Sequence, residues 1–293
     1  MANTIFDMLK AIGQASDDTR ELFASGTRDV ADLPVWKDRL SGVIFVDDHY
    51  VGQEEYASGS YRDSDFYTGR VDFERVSDCQ RRVSSYQQFY VGKAIADFGC
   101  GAGDFLRAVR DNCASVVGIE LQEDYVANMR ENGIDCVRDL DDIDDNSLDV
   151  IFSFHAIEHL PDPVAIITAL KQKLRPGGRM ILEVPHAGDL LLRQDLDCEE
   201  FRKFTLWSQH LVLHTRASFE ALLLHCGMQD VIVEGVQRYP LSNHLQWLAK
   251  GKPGGHRSQL TAMESPVLLD AYANALRKID ATDTITAIAS VPA

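Results

Sequence analysis

The chain of 293 residues is short of positive charge: 29 lysines and arginines face 45 aspartates and glutamates, a formal net charge of −16. Such a balance repels a polyanion, so nonspecific nucleic-acid binding is excluded as a main activity. No apolar run approaches the roughly 20 residues that cross a bilayer, and Met1 to Lys10, which carries Asp7, does not read as a signal peptide. The expectation is a soluble, cytoplasmic protein. The six cysteines (79, 100, 113, 136, 198 and 226) contain no Cys-x-x-Cys pair, which argues against a zinc ribbon or a disulfide framework. There is no internal repeat and no low-complexity tract. The remaining composition, 45% hydrophobic and 25% charged, is that of an ordinary globular protein.

What is present is a glycine turn between a strand and a helix. Val91 to Phe98 reads as a buried parallel strand, Asp97-Phe98-Gly99-Cys100-Gly101-Ala102-Gly103 as the turn, and Asp104 to Asp111 as a helix. This is the layout of a nucleotide-type cofactor site. A dinucleotide site has Gly-x-Gly-x-x-Gly/Ala with the pyrophosphate on the helix N-terminus. Here the third glycine comes one residue early and Asp104 stands where it is wanted. A carboxylate there competes with a pyrophosphate for the same amides, so the turn suits a ligand with no phosphate at that point, such as S-adenosylmethionine (SAM). Val116-Val117-Gly118-Ile119-Glu120 then reads as a second strand whose terminal carboxylate can accept from both ribose hydroxyls.

Further strands alternate with helices. Strands are expected at about 134–137, 148–154, 179–184, 230–234 and 284–291, and helices at about 123–132, 163–174, 217–226 and 266–279. The fold class is α/β: a Rossmann-like, doubly wound seven-stranded sheet, mostly parallel. Residues 1–63 form an N-terminal cap or lid segment with a helical pattern around Ile5, Met8, Leu9 and Ile12, and 64–293 form the main domain. Two inserts are expected, a less regular one at about 186–215 and one at about 237–281 that is loop-like to about Ser258. Tyr50, Tyr56, Tyr61 and Tyr67 are candidate lid residues.

On the glycine turn, Glu120, Asp139-Leu140 after the third strand, and Leu174-Arg175-Pro176-Gly177-Gly178 before the fifth, the chain resembles the class I SAM-dependent methyltransferases over roughly residues 64 to 236. The resemblance implies an antiparallel last strand, inserted between the fifth and sixth, and SAM as cofactor. It implies a cofactor site of Asp97, Gly99, Cys100, Gly101, Gly103, Glu120, Leu121, Asp139, Leu140, Phe154 and His155, with Asp97 on the cationic amino group and Asp139 near the adenine.

His155-Ala156-Ile157-Glu158-His159 spells an inverted zinc-protease motif, but Pro161 follows within two residues and no sustained helix can align the histidines. The stretch is similar instead to the Glu-His-Leu segment of ubiquinone-type methyltransferases, whose histidine faces the transferred methyl. His159 is then the candidate general base, with His155 and Glu158 as further catalytic candidates. Methyl transfer from a sulfonium requires no metal, and Asp195, Asp197, Glu199 and Glu200 read as an acidic surface loop rather than a magnesium site. The segment from Arg238 to Arg257 gathers cations and flat rings in an acidic chain. It resembles a segment of bacterial methyltransferases acting on surface-polysaccharide sugars, which makes Asn243, His244, Trp247, Lys250 and Lys252, together with His186, His210 and Tyr67, candidate contacts to a sugar or nucleotide sugar. The expected activity is O-methylation of such a small molecule. C- or N-methylation of a small metabolite and a non-catalytic SAM-binding subunit are the alternatives, and a homodimer stays open.

Overall fold

The structure is a computed structural model that describes residues 4–47, 49, 50, 52, 73–196 and 198–293. Its centre is a seven-stranded sheet built from β4 (Ala94–Phe98), β5 (Ser115–Ile119), β6 (Asp135–Val137), β7 (Leu148–Phe154), β8 (Leu174–Pro185), β10 (Gln229–Val236) and β11 (Thr284–Ser290). Their spatial order is β10-β11-β8-β7-β4-β5-β6. The pairs β4–β5, β5–β6, β4–β7 and β7–β8 are parallel, and β11 runs antiparallel between β8 and β10. The expected Rossmann-like sheet, with its antiparallel last strand, is therefore the observed one.

The central strands read as uninterrupted apolar runs because helices cover both faces. Ile95 and Ala96 on β4, and Ile151 and Phe152 on β7, are fully buried. Their layers go to opposite sides: Ala96 and Ile151 join one core cluster with Leu182 and Ile285, while Ile95 and Phe152 join another with Phe105 and Met129. Strand order reverses at β4, so the crevice between the ends of β4 and β7 is the topological switch point where ligands bind in open α/β sheets. Asp97 pairs in register with Gly118 and Phe152, which puts its carboxyl at that crevice.

The N-terminal segment contains the expected helix, Ile5–Ala11, capped by the Thr4 side chain on the Asp7 amide. Ile5, Phe6, Met8 and Leu9 bury against the main core, and Phe6 stacks on Phe45 with ring centroids 5.5 Å apart. Beyond the helix the segment forms strands: β1 (Arg20–Ala24), β2 (Val35–Asp38) and β3 (Ile44–Val46). These pair antiparallel, and β3 pairs in turn with β9 (Val212–Leu213), which comes from the irregular insert. Such short strands carry little periodicity, and a partner far along the chain leaves no local signal.

The stretch expected to be loop-like from 237 to 258 is instead largely helical. Leu241–Lys250 is an α-helix with Pro240 at its N-cap and Gly251 in the left-handed conformation at its C-cap. The helix buries Ser242, Asn243, His244 and Trp247 on one face, a polar face that hydrophobic periodicity misses although Pro240 and Gly251 mark both ends.

In the glycine turn, Gly99, Gly101 and Gly103 all have positive φ, and a Cβ on Gly103 would fall 1.8 Å from Met129 Sδ. Gly103→Ala adds left-handed strain and a clash in a packed core, together about 2–4 kcal/mol. Thermal or chemical unfolding should register a loss of that size, and a variant as stable as wild type would show that the turn and Met129 are not so packed.

Candidate active site

A cavity of about 1060 Å³ opens at the switch point. Its floor is the glycine turn and the ends of β4 and β7; helix Phe73–Ser85, the segment from Phe201 to His210 and helix Leu241–Lys250 contribute its walls.

Asp97, Gly99, Cys100 and Gly101 line the floor. Asp97 is 3% exposed and its Oδ1 has no hydrogen-bond partner. Burial, opposed in part by Arg82, pushes its carboxyl up to about 8. Glu120 lies behind the turn: its two oxygens accept the amides of Gly101 at 2.8 Å and Gln122 at 2.9 Å. Each oxygen keeps a second lone pair, although Glu120 itself is not part of the cavity lining. Gly103 caps helix Asp104–Val109. Asp104 is taken up by Arg75 and Arg107.

Phe154, His155, Glu158 and His159 follow β7 into the cavity. His155 sits at φ +56°, a strained conformation for a non-glycine residue. Its Nε2 lies 3.0 Å from Arg238 Nη1. A guanidinium only donates, so this ring is neutral with its proton on Nδ1; burial and then the Arg238 charge hold its pKa well below the ordinary value. Glu158 is fully buried, neither carboxyl oxygen has a hydrogen-bond partner, and burial pushes its pKa to about 8. His159 Nδ1 is 2.8 Å from the carbonyl of Gln209. A carbonyl only accepts, so Nδ1 carries the proton and the neutral ring's lone pair is on Nε2.

Among the acceptor candidates, His210, Asn243, His244 and Trp247 line the cavity. His244 bonds the Tyr272 hydroxyl at 2.6 Å, and burial lowers its pKa to about 4. Trp247 packs against Phe201 and Phe204. Lys250 and Lys252 are exposed and outside the cavity lining. Among the described residues, the cations that do line it are Arg28, Arg75, Arg82, Arg238 and Arg257. His186 also turns away: it is buried, and its Nδ1 donates to the Thr282 carbonyl at 2.9 Å. Leu121, Asp139 and Leu140 do not line the cavity. Asp139 is exposed and caps a short turn through the Asp141 amide, and Leu140 packs against the core. Tyr56, Tyr61, Tyr67 and Asp197 lie outside the described residues. Glu199 and Glu200 are exposed and paired with Lys203, and Asp195 with Arg193, as an acidic surface would be. Sequence reasoning missed Arg28, Asp78, Arg82 and Asp189, which line the cavity from segments with no motif around them.

A strand, glycine turn and helix at a switch point, under a large polar cavity, define a Rossmann-like cofactor-binding domain. Residues 74–232, more than half of the chain, match a family model described as a methyltransferase domain, and the chain belongs to that family. The ubiquinone biosynthesis O-methyltransferase of Idiomarina loihiensis is 32% identical over 108 residues, which cover 33% of this chain and 44% of the relative. Phosphoethanolamine N-methyltransferase 1 of Arabidopsis thaliana is 29% identical over 154 residues, covering 49% of this chain and 30% of the relative. The match thus spans under half the length of these curated relatives. Among solved structures, the Haemonchus contortus phosphoethanolamine N-methyltransferase 2 bound to SAM superposes with a TM-score of 0.50 at 18% identity, covering 73% of this chain and 53% of that one. The shared feature is the Rossmann-like methyltransferase fold. No described helix is long and apolar enough to cross a membrane.

The buried carboxyls predict a pH dependence. Asp97, Glu158 and Asp189 are each raised to about 8 by burial. A carboxyl raised in the folded state favours folding below its ordinary range, and this is lost as pH climbs through the folded value. Histidines buried in the neutral form, His155, His210, His214 and His244 among them, act in the opposite sense but only below about pH 7, so the ligand-free protein should melt at lower temperature as pH rises from 7 to 9, and Asp97→Asn should flatten part of that fall. Identical pH profiles for the two proteins would mean that Asp97 is not held protonated.

Proposed function

We propose that this chain binds SAM at the glycine turn and transfers its methyl group to a hydroxyl of a small polar molecule, a sugar or nucleotide sugar. The observation that carries the reading is Asp97: a buried carboxyl with an unpartnered oxygen, on the floor of a large cavity and beside a turn where three glycines let a ligand approach the backbone. This site fits a cofactor with a cationic amino group and no phosphate. When bound, SAM supplies a methyl group already activated on a sulfonium, so the protein's task is alignment.

Asp97 would hold the amino group and Glu120 the ribose. Once a cation meets it, the burial that keeps Asp97 protonated is offset, and the carboxylate form is favoured. His159 would face the acceptor hydroxyl from the cavity wall and take its proton on Nε2, with the ring held by the Gln209 carbonyl. His155 is the poorer base because Arg238 occupies its lone pair. Arg28 and Arg257 would meet a phosphate, and Trp247 and Asn243 a sugar ring.

A second reading, methylation of a phosphorylated amine, draws on the 154-residue similarity to the Arabidopsis protein and on the same arginines. Mass spectrometry of products from labelled SAM, with sugar nucleotides and phosphobases offered side by side, separates the two. Absence of any methylated product would instead favour a silent cofactor-binding subunit.

Glu120→Ala should weaken SAM at least about tenfold by calorimetry, one charge-assisted hydrogen bond's worth, with the fold retained; unchanged affinity would move the ribose elsewhere. His159→Ala should lower kcat by about 10²–10⁴-fold with SAM affinity near wild type. Near-normal turnover would remove His159 from the mechanism.

A further inference from the structure

Glu158 stands in the cavity wall as a buried carboxyl whose two oxygens both lack a hydrogen-bond partner. The groups around it do not supply one. His155 Nδ1 lies 3.3 Å from Oε1 without making a hydrogen bond, and His159 Nε2 lies 4.0 Å from the same oxygen. Arg238 and Arg82 bear on its charge, but Arg238 grips both oxygens of Asp78, and Arg82 gives its Nε to Glu183 at 3.0 Å. Each guanidinium is thus balanced by a carboxylate of its own. Burial raises Glu158 to about 8 against its own amide and these two charges, so the unliganded group is mostly protonated at neutral pH. A buried polar group left in this state in a cavity wall marks a place where a ligand supplies the partner.

We propose that Glu158 recognises a cationic amino group on the methyl acceptor, next to the hydroxyl that is methylated. Two open oxygens call for two donors. A hydroxyl or a secondary amide has one, whereas an ammonium has three. An ammonium also brings the charge that offsets the cost of a buried carboxylate, which no neutral donor does. The placement rests on the methyl-transfer reading, in which His159 takes the acceptor's proton on Nε2. With that atom 4.0 Å from Glu158 Oε1, one molecule meets both residues through substituents on adjacent carbons. The acceptor class is then a vicinal amino alcohol and, among sugars, one with a free amino group beside the reacting hydroxyl. N-acetylation would remove the charge and two of the donors. When an ammonium pairs with Glu158, the carboxyl proton leaves for solvent. The imidazoles of His155 and His210 on the segments packed there are held neutral by burial, and the two arginines stay charged. Asp97 and Asp189 are raised carboxyls elsewhere in the lining, the first of them assigned to the cofactor.

The test titrates the full chain by calorimetry at pH 7, saturated with S-adenosylhomocysteine so that nothing turns over. The probes are glucosamine, N-acetylglucosamine and glucose, each as its uridine diphosphate sugar and as its hexose phosphate. Two buffers of different ionisation enthalpy count the protons released. In one set or the other, the amine should bind at least about tenfold more tightly than its two counterparts, one charge-assisted contact's worth, and release about one proton per chain. The isosteric Glu158→Gln should abolish both the preference and the proton release while S-adenosylhomocysteine affinity holds, and Asp189→Asn should keep the proton release. If neither amine outbinds its counterparts on the wild type, the proposal is overturned whatever the variants do. Proton release that persists in Glu158→Gln or vanishes in Asp189→Asn also overturns it. A fall in S-adenosylhomocysteine affinity in Glu158→Gln would do the same, by assigning the carboxyl to the cofactor. Amine binding and proton release by a chain that binds no S-adenosylhomocysteine would sink the methyl-transfer reading and leave the amine site standing.

Discussion

The site depends on one buried ion pair. Arg238, just past β10, grips both oxygens of Asp78 on helix Phe73–Ser85 and gives its Nη1 to His155 at the end of β7. Burial alone would raise the Asp78 carboxyl, but Arg238, Arg82 and Arg81 outweigh it and hold it well below the carboxylate range. Glu183 on β8 repeats the arrangement. Its fully buried carboxylate takes Arg81 at 2.8 and 2.9 Å, Arg82 at 3.0 Å and the Tyr86 hydroxyl at 2.7 Å. Together these contacts hold helix Phe73–Ser85 against the sheet beside the cavity. Removing one partner leaves an uncompensated buried charge, a loss of about 3–5 kcal/mol.

The same pair sets the chemistry next to it. With its Nε2 committed to Arg238, His155 turns its remaining proton toward Glu158. The Gln209 carbonyl has the opposite effect on His159, whose proton it holds on Nδ1. Asp283, pressed between β11 and the segment after β10, accepts the amides of Arg238 and Tyr239 at 3.0 Å each and so places Arg238 itself. Tautomers and charges in the cavity are thereby decided by backbone carbonyls and ion pairs, several of them far from any recognisable motif.

The small antiparallel sheet has a comparable role for the other wall. Through β3 and β9 it joins the N-terminal segment to the chain that carries Trp207 and His210, and Asp29 fastens that chain again through the Ser208 amide and hydroxyl at 3.0 and 2.5 Å. The family match ends at 232, before Arg238 and before helix Leu241–Lys250. The matched region carries the glycine turn and the strands, whereas part of the wall that would meet an acceptor lies beyond it. That division fits a cofactor shared across the family and an acceptor that is not.

Local chemistry was enough to read the glycine turn and the βα alternation, while the antiparallel last strand followed from the family resemblance. A buried parallel strand is an apolar run, a left-handed turn takes glycine, and each signal is contained within a few residues. Gly99, Gly101 and Asp97 were legible for that reason as residues of the cavity floor, and Glu158 and His159 were reached through the resemblance. Helix Leu241–Lys250 was legible only at its ends, at Pro240 and Gly251, since its buried face is polar. The second sheet, the withdrawal of His186, Lys250 and Lys252 from the cavity, the arginines that take the lysines' place, and the meeting of His210 with Glu158 were settled by tertiary structure alone. Each depends on which residues distant in sequence become neighbours, and no pattern along the chain records how a lone pair or a charge is matched by a group fifty or a hundred and sixty positions away.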